Sequence, residues 1–573
     1  MATQSATGPE TAVNQRTLSI FTGRRGRTLK EVVLAYVLIT PAFLIIFTFG
    51  IFPLAFSVYQ STLRGLNKIV GTYDGLGNYT KAIGNLAYVL GFWMAVIFLF
   101  LAVNALIKQT HVTKKYEERP WLFTIPGIVL AVGTALFVRF VYIILPEVLG
   151  ISESLRAAKQ AGSEETTAVL FKGFLAEIWQ KPDIQRPFWT AVIIFLIAFA
   201  LIYIFLRLLP RSPRNSSYIA TFFQSTLLII GALFLGWFTL TEVQAAYTAA
   251  AESGETLEIW TQTITISAGL VLLLLSWFIW RSANHQDSTA GTFIRLGAGS
   301  LLIIGAWVLI GELPAAALSG DDDWYLGLLN TVYYSVGSIP IQFAVSLMLA
   351  TFLFQDIKGK SFFRMIFFLP YITPAVGAAA SFRILFSGRV DAPINRIITA
   401  FGFEPLAWLN GSTGIFQMIA GDGVTLPTWA AGPSLSLVVI ILFGVWTFIG
   451  FNTVILLAGL GAIPHELYEA ASIDGGNRWS QFRHITLPLL SPTIYFLTLW
   501  AVIGTFKAFN HIYVLRTGAA LGTADTASIV IFDAMKRDTR YGYAAALAVL
   551  LLIIVMGLTV INNRIASKRV FYG

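Results

Sequence analysis

Long apolar runs alternate with short polar stretches along almost the whole chain. A helix that crosses a bilayer needs about 20 consecutive apolar residues, because its backbone polar groups must be paired within the helix. Twelve runs meet this requirement, at about 34–59, 88–107, 121–145, 188–207, 217–240, 259–280, 295–312, 329–354, 365–386, 435–459, 489–510 and 542–561. The pattern predicts an all-α integral membrane protein with about twelve transmembrane helices.

The composition agrees with lipid as the solvent. Of the 573 residues, 56% are hydrophobic and 12% are charged, whereas soluble domains carry about 25% charged residues. The net charge of +9 comes from basic residues scattered through short loops, so it indicates membrane orientation rather than nucleic-acid binding. The chain has no cysteine, which excludes disulfides, thiolate chemistry and cysteine-ligated metal sites.

The charges of the loops predict the orientation in the membrane. Lysine and arginine are concentrated in the C-terminal tail and in loops 108–120, 208–216, 281–294 and 355–364, including Arg119 and Arg211. Among the alternate loops, one carries Glu242, Glu252, Glu255 and Glu258 and another carries Asp321, Asp322 and Asp323, whereas the long loop 146–187 is mixed. Because cytoplasmic loops carry the excess of basic residues, we expect both termini in the cytoplasm. Residues 1–31 are polar, and the apolar run that follows is too long for a signal peptide, so we expect it to remain as the first span.

One loop, residues 464–488, is polar and compact although it lies between two apolar spans. Pro464 lacks an N–H group and is tolerated in a first helical turn, so a short helix is expected to start there. Glu466 and Glu469 lie three residues apart and therefore share a face near the positive helix N-terminus. Gly475 can adopt the left-handed conformation that ends a helix. The loop is therefore predicted to contain an ordered, exposed helix.

The spacing of this loop resembles a known family. Glu469-Ala470-Ala471, Gly475, Ile485 and Leu487-Pro488 follow the pattern E-A-A-x3-G-x9-I-x-L-P of the cytoplasmic loop in ABC importer permeases, which contacts the ATPase. The resemblance implies that Glu469 pairs with a basic residue of the ATPase. The implied coupling residues are Glu466, Glu469, Ala470, Ala471, Asp474, Gly475, Ile485 and Pro488. The alternative is a capped loop helix without a partner.

Four further segments resemble permeases of the maltose-transporter type. They are Gly75-Leu76-Gly77-Asn78-Tyr79, Asn330-Thr331, the stretch RMIFFLP at 364–370, and Trp408-Leu409-Asn410. The resemblance covers about 32–83 and 325–573 and implies a six-helix type I ABC importer core. Residues 1–83 would then hold the cytoplasmic tail and first core helix, and residues 325–573 the remainder of the core.

The segment 84–324 falls outside this resemblance and contains six predicted spans. An even number is needed, because the chain leaves the first core helix on the outside and must re-enter from the outside. We therefore expect a six-helix insertion after the first core helix. Two roles are open: extra helices that pack peripherally against lipid, or a docking or assembly surface.

The resemblance also implies a substrate pathway in spans 435–459 and 489–510. Polar and aromatic side chains within spans often line a pathway, although Gly, Thr and Asn equally favour helix packing. The implied pathway residues are Gly450, Asn452, Thr453, Phe506, Phe509 and Asn510. Lys507 either lines the cavity or extends towards the outer interface.

By resemblance, the function is import of a sugar, with oligosaccharides such as maltodextrins or trehalose first and sugar phosphates or polyols as the alternative. The implied partners are a second homologous permease, two copies of an ABC ATPase and an extracytoplasmic solute-binding protein. Lys358-Gly359-Lys360-Ser361 suggests a phosphate loop, but Phe354 stands where its first glycine belongs. We therefore expect ATP and Mg on a separate ATPase, and no enzymatic activity, cofactor or metal in this chain.

A second class of protein, the ion-coupled secondary transporter, also often has twelve spans. Such transporters commonly show two related halves. Residues 84–324 do not resemble the second half of this chain, and no carboxylate expected for ion coupling lies in the interior of the predicted spans. A membrane enzyme is disfavoured because no cluster of acids, histidines or metal ligands lies within the spans.

Overall fold

The computed structural model describes residues 24–65, 71–116, 118, 120–208, 212–283, 289–421 and 423–569. The chain divides into two units, Met1–Tyr59 and Gln60–Gly573. Most of the predicted polar tail, residues 1–23, and the basic loop residues Arg119 and Arg211 lie outside the described residues.

The first unit contains the first predicted span. Helix α1 (Arg24–Ile46) continues through a π-helical turn, Phe47–Ile51, into α2 (Phe52–Ser61). Pro53 lacks an N–H group and cannot donate the usual helical hydrogen bond. The backbone widens into the π turn just before it, which is a common way to accommodate a local break in the ladder.

The second unit begins with a two-stranded hairpin and a series of long helices. Strands β1 (Leu63–Arg64) and β2 (Thr72–Tyr73) pair antiparallel, with Leu63 opposite Tyr73. The helices up to residue 317 are α3 (Gly77–Ile83), α4 (Leu86–Tyr116), α5 (Thr124–Gln160), α6 (Thr167–Gln180), α7 (Pro182–Leu208), α8 (Asn215–Ser253), α9 (Ile259–Ala283) and α10 (Thr289–Ala317).

The C-terminal part alternates long helices with short ones. They are α11 (Asp322–Phe354), α12 (Lys360–Ile372), α13 (Ala375–Leu385), α14 (Pro393–Ala400), α15 (Ile415–Ala420), α16 (Leu435–Gly461), α17 (Glu466–Ile473), α18 (Arg478–Gln481), α19 (Leu487–Leu489), α20 (Ser491–Phe506), α21 (Asn510–Leu515), α22 (Ala527–Lys536) and α23 (Tyr541–Arg569). A second π turn, Phe482–Thr486, links α18 to α19.

The prediction of an all-α membrane protein is confirmed. Among the described residues, 10 helices are long and apolar enough to cross a membrane, and the number reaches 12 if each of two bent helix pairs counts as one span. One bend falls inside the predicted span 365–386, and the other lies at the N-terminal edge of the predicted span 489–510.

The predicted span 365–386 is broken into α12 and α13, which meet at 92°. The break lies at Thr373 and Pro374. Thr373 has an extended backbone, with φ −63° and ψ 135°, because the ring of a following proline disfavours the helical conformation. The apolar run was visible in the sequence, but it does not distinguish a straight span from a bent one.

The predicted span 489–510 is also altered at both ends. The segment Arg478–Leu489 meets α20 at 61°, where Pro492 in the first turn of α20 cannot complete a hydrogen bond to the preceding helix. Helix α20 ends at Phe506. Phe509 and Asn510 therefore lie beyond the helix on which they were expected.

The predicted loop 146–187 is largely helical. Helix α5 continues to Gln160 and spans about 55 Å at 1.5 Å per residue, longer than the roughly 30 Å hydrocarbon core. Its C-terminal half packs against α6 through buried Ile151 and Ile178. A salt bridge of 2.8 Å between Lys181 and Glu147 lies near the start of α7. Hydropathy missed this hairpin because it is amphipathic rather than uniformly apolar.

The contacts between loops agree with the predicted alternation. Asn85 N donates to Ala316 O at 3.0 Å, and Thr517 Oγ1 donates to Leu409 O at 2.7 Å. These residues belong to loops that the alternation places on one side of the membrane. Ser212 Oγ donates at 2.7 Å to Glu118, and both residues belong to loops placed on the other side. Each of these three hydrogen bonds therefore joins loops of the same predicted side, and the side that faces the cytoplasm stays a prediction.

Candidate functional site

Loop 464–488 folds around helix α17. The helix begins at Glu466, two residues later than predicted, because Pro464 lies in the preceding turn and accepts a hydrogen bond from Leu467 N at 3.4 Å. Gly475 has φ +80°, the left-handed conformation predicted for it. Gly476 N then donates to Ala471 O at 2.7 Å, which satisfies a carbonyl at the helix end.

Side chains hold the rest of the loop against α17. Gln481 Nε2 donates to Ser472 Oγ at 2.8 Å and to Gly476 O at 3.2 Å. The hydroxyls of Tyr468 and Thr486 lie 2.9 Å apart. These contacts join α17 to α18 and to the π turn, so the loop is an ordered unit.

The outer face of this loop exposes both charge and apolar surface. Glu469 contacts His465 Nδ1 at 3.1 Å, and its side chain is 66% exposed. Ile473 is 86% exposed and Trp479 is 67% exposed. The ordered loop therefore presents a carboxylate and two large apolar side chains at its surface.

The other predicted coupling residues surround this face. Glu466, Ala470 and Asp474 are exposed, and Ala471 is half-buried. Ile485 is half-buried in the π turn, and Pro488 is exposed in α19. Most of the eight predicted coupling residues are thus exposed, and their role in coupling stays a prediction.

The loop is firmly connected to the spans on both sides. Leu490, at the bend before α20, is fully buried and packs with Leu456 and Leu460 of α16. Leu497 of α20 belongs to the same apolar cluster. The end of the loop, α16 and α20 therefore share one close-packed apolar cluster.

The first set of predicted pathway residues lies on α16 and is buried. A Cβ atom on Gly450 would lie 2.5 Å from the Phe367 carbonyl carbon and 2.9 Å from Phe368 Cα. Asn452 Nδ2 donates to Gln342 Oε1 at 3.3 Å, and Thr453 Oγ1 donates to Ile449 O at 2.7 Å. Gly450 packs against α12 and Asn452 against α11. These contacts agree with a role in helix packing, the alternative to lining a pathway.

The second set lies around the end of α20. Phe506 is buried, and its carbonyl accepts a hydrogen bond from Ser528 Oγ at 3.1 Å. Phe509 lies 4.8 Å from Phe532, between ring centres, and lines a shallow cavity of about 250 Å³. Asn510 and Lys507 are exposed beside the break in the helix. This set contacts α22, whereas the first set contacts α11 and α12.

An ionic cluster next to α22 was not predicted. Arg516 donates to both carboxylate oxygens of Asp533, at 2.8 and 3.0 Å, and lies 3.6 Å from Asp525. Hydrogen bonding to Asp533 raises the pKa of Arg516. Desolvation raises the pKa of the Asp525 carboxyl above its usual 3.8. The three charges lie 8 to 17 positions apart along the chain, and no local pattern connects them.

The segments that carried the resemblance have structural roles. Asn330 Nδ2 donates to Asp525 O at 2.9 Å, and Thr331 Oγ1 accepts from Ala527 N at 3.0 Å. Trp408 Nε1 donates to Asn395 Oδ1 at 2.8 Å. These contacts position α22 and the connection between α13 and α16.

Comparison with known proteins identifies the family. Residues 327–570 match the model of the binding-protein-dependent transport system inner membrane component. The arabinooligosaccharides transport system permease protein AraP of Bacillus subtilis (strain 168) is 31% identical over 270 residues, which cover 46% of this chain and 79% of AraP. The chain belongs to this family of transport-system inner membrane components.

Other family members are similar over comparable lengths. The trehalose/maltose transport system permease protein MalF of Thermococcus litoralis is 29% identical, covering 44% of this chain and 77% of that protein. The sn-glycerol-3-phosphate transport system permease protein UgpA of Agrobacterium fabrum is 28% identical, covering 46% of this chain and 83% of that protein. Family membership confirms the resemblance found in the sequence and agrees with a multi-pass membrane protein. The matched residues include loop 464–488, whereas α4–α10 precede them.

Proposed function

We propose that this chain is the permease subunit of an ATP-driven, binding-protein-dependent importer of sugars. The observation that carries the proposal is the loop 464–488. It is ordered by its own hydrogen bonds, exposes a carboxylate and apolar side chains, and lies within the residues that match the family. The chain forms part of the translocation pathway, and a separate ATPase drives it.

Loop 464–488 couples the two proteins through α17. The exposed carboxylate of Glu469 pairs with a basic residue of the ATPase. Ala470 presents little bulk, so the helix can lie close against a partner groove. An eight-residue helix is marginal alone in water, and packing against the ATPase stabilises it further. ATP-driven movement of α17 then shifts α16 and α20 through the cluster around Leu490.

The distribution of basic residues among the loops indicates on which side of the membrane the coupling loop contacts the ATPase. Loop 464–488 lies on the same side of the predicted alternation as loop 355–364, which contains Lys358 and Lys360. The opposite side carries Glu252 and Glu255. By the positive-inside rule, the coupling loop and both termini face the cytoplasm of a cell membrane.

The relatives and the aromatic cavity support the proposed substrate class. The names of AraP and MalF point to oligosaccharides. Phe509 and Phe532 offer flat apolar faces to the C–H surface of a sugar ring. Asn510, exposed beside them, supplies an amide for hydrogen bonding. UgpA supports sugar phosphates or polyols as the second candidate. The exposed ammonium group of Lys507 could bind the phosphate of a sugar phosphate.

The complete importer contains further chains. We propose a second homologous permease, two copies of the ATPase carrying ATP and Mg, and an external solute-binding protein. The sugar passes from the binding protein into a cavity formed with the second permease. Differential binding of ATP to the two arrangements of the assembly shifts the cavity between outward and inward access.

The test is stimulated ATP hydrolysis by the purified assembly in lipid vesicles. Glu469→Lys reverses a charge on the coupling loop, and we expect the sugar-dependent increase in ATPase rate to fall at least tenfold, about 1.4 kcal/mol of lost coupling. The matched control is Glu164→Lys, an exposed carboxylate in the opposite loops, for which we expect little change. Equal stimulation in the two variants would contradict the coupling role. Stimulation by a sugar phosphate but no oligosaccharide would select the second substrate class.

A further inference from the structure

The segment 71–85, which we call the junction, contains strand β2 of the hairpin and helix α3 and leads into helix α4. It includes Gly75-Leu76-Gly77-Asn78-Tyr79. Glu242 of α8 accepts a hydrogen bond from Leu76 N at 3.0 Å through Oε2. The other oxygen of the same carboxylate accepts from Tyr73 Oη, also at 3.0 Å. One carboxylate thus binds two parts of the junction.

Gly75 makes this approach possible. It has φ +54°, which L side chains rarely adopt, and a Cβ atom there would overlap the Glu242 carboxylate. The backbone conformation therefore favours glycine, and a larger residue here would displace the Glu242 carboxylate from its hydrogen bonds. Partial burial and the Glu242 carboxylate raise the pKa of Tyr73, so the phenol remains protonated and donates at physiological pH.

Two more helices of the segment 84–324 hold the other end of the junction. Asn85 Nδ2 donates to Gln262 Oε1 of α9 at 2.9 Å. Asn85 N donates to Ala316 O of α10 at 3.0 Å. Gly84 has φ +61°, and a Cβ atom there would lie 2.6 Å from Ser319 Oγ. Three helices, α8, α9 and α10, therefore contact the junction through specific polar groups.

The junction packs against the last core helix on its other side. Asn78 Nδ2 donates to Ser61 O at 2.9 Å and to Leu63 O at 2.8 Å. A Cβ atom on Gly542 of α23 would lie 3.0 Å from Asn78 Nδ2, so α23 approaches this point closely. Lys81 Nζ lies 5.3 Å from the centre of the Tyr543 ring. The junction thus contacts α8, α9 and α10 on one side and α23 on the other.

We infer that Glu242 is a positioning residue through which the helices of segment 84–324 fix the junction against α23 of the transport core. This inference rests on the proposed function. Helices that merely pack against lipid at the periphery have no need for a carboxylate that binds a backbone N–H at a glycine. The six-helix segment therefore serves as a brace for the core, in addition to any surface that it offers to partners.

Hydrogen exchange on the purified full chain tests the contact directly. In Glu242→Ala we expect the amide of Leu76 and its neighbours in the junction to exchange about tenfold faster, because a hydrogen bond to a charged group is lost. Peptides from α5 and α7 should keep their rates. Glu252→Ala on the same helix, an exposed carboxylate, is the matched control and should leave the junction unchanged. An unchanged junction in Glu242→Ala would overturn the inference.

A second readout separates positioning from general destabilisation. In the assembled importer we expect Gly75→Ala and Glu242→Ala to retain basal ATP hydrolysis while losing at least half of the sugar-stimulated increase. Uniformly faster exchange throughout α4–α10, with both rates lowered in parallel, would mean a purely structural role and would refute positioning. A wild-type assembly that no sugar stimulates would refute the proposed function, whereas the exchange result still decides whether Glu242 holds the junction.

Discussion

The contact between α12 and α16 provides a sharp test, because it depends on a missing side chain. Gly450→Ala would place a Cβ atom 2.5 Å from the carbonyl carbon of Phe367 and 2.9 Å from Phe368 Cα. Ordinary carbon contacts lie at about 3.5–4.0 Å. The obstructing atoms belong to the backbone of α12, so no change of rotamer relieves the overlap. The carbonyl oxygen of Phe367 would lie closer still, so the two helices have to move apart by at least about 1 Å.

The expected change in the free energy of unfolding of Gly450→Ala is the difference between two terms. Overpacking costs about 1–3 kcal/mol, and a backbone obstruction belongs at the upper end of that range. Replacing glycine by alanine within a helix returns up to about 1 kcal/mol. The net loss is about 2 kcal/mol, which lowers the melting temperature by roughly 3 °C for a core of about 330 residues at about 2.1 cal/mol/K per residue.

The assay is the thermal unfolding of the purified chain in detergent, with binding of sugar to the assembly measured in parallel. Gly461→Ala is the control on the same helix, since a Cβ atom there meets nothing within 4 Å. We expect Gly461→Ala to unfold at the wild-type temperature or slightly above it. If Gly450→Ala unfolds at the wild-type temperature but selects different sugars, Gly450 lines the pathway and the packing argument fails.

Three further predictions concern other parts of the fold. Hydrogen bonds from Tyr218 and Ser212 lower the pKa of Glu118 below 4.5, so this carboxylate stabilises the folded chain above pH 4.5 and ceases to do so as the pH falls through its lowered pKa. Glu118→Gln should therefore unfold earlier at pH 7 and show a flatter dependence of melting temperature on acid pH, and parallel wild-type and variant curves would contradict this. A double-mutant cycle of Arg516→Met with Asp533→Asn should give a coupling of about 1 kcal/mol in thermal unfolding, and strict additivity would mean that the pair contributes nothing. Phe509→Ala should weaken sugar-stimulated ATP hydrolysis more than basal hydrolysis, and a parallel loss of both would assign the ring to packing.

The membrane fold follows from the sequence because a spanning helix must satisfy its own backbone within a long apolar run. The breaks within the spans are harder to predict from the sequence. Pro374 signals the 92° bend, yet a proline inside an apolar run is also compatible with a kinked helix. The hairpin of α5 and α6 was missed because its outer half is amphipathic and extends beyond the expected bilayer.

The coupling loop was predictable because its signals are local. The proline, the paired glutamates and the left-handed Gly475 all lie within one short segment. The contacts of Glu242 with Leu76, and of Arg516 with Asp533, depend on which helices meet in the folded chain. Glu242 was expected in a loop, but α8 extends to Ser253 and places it on a helix. Such long-range pairs leave no spacing signal in a single sequence.

The central claim is that this chain moves sugar only when a separate ATPase drives it through loop 464–488. The most direct measurement is uptake of a labelled oligosaccharide into vesicles that contain this chain, its partner permease and the ATPase, with the binding protein outside. We predict uptake that requires ATP inside the vesicles and that falls at least tenfold with Glu469→Lys. Uptake by this chain alone, driven by an ion gradient without any ATPase, would contradict the account.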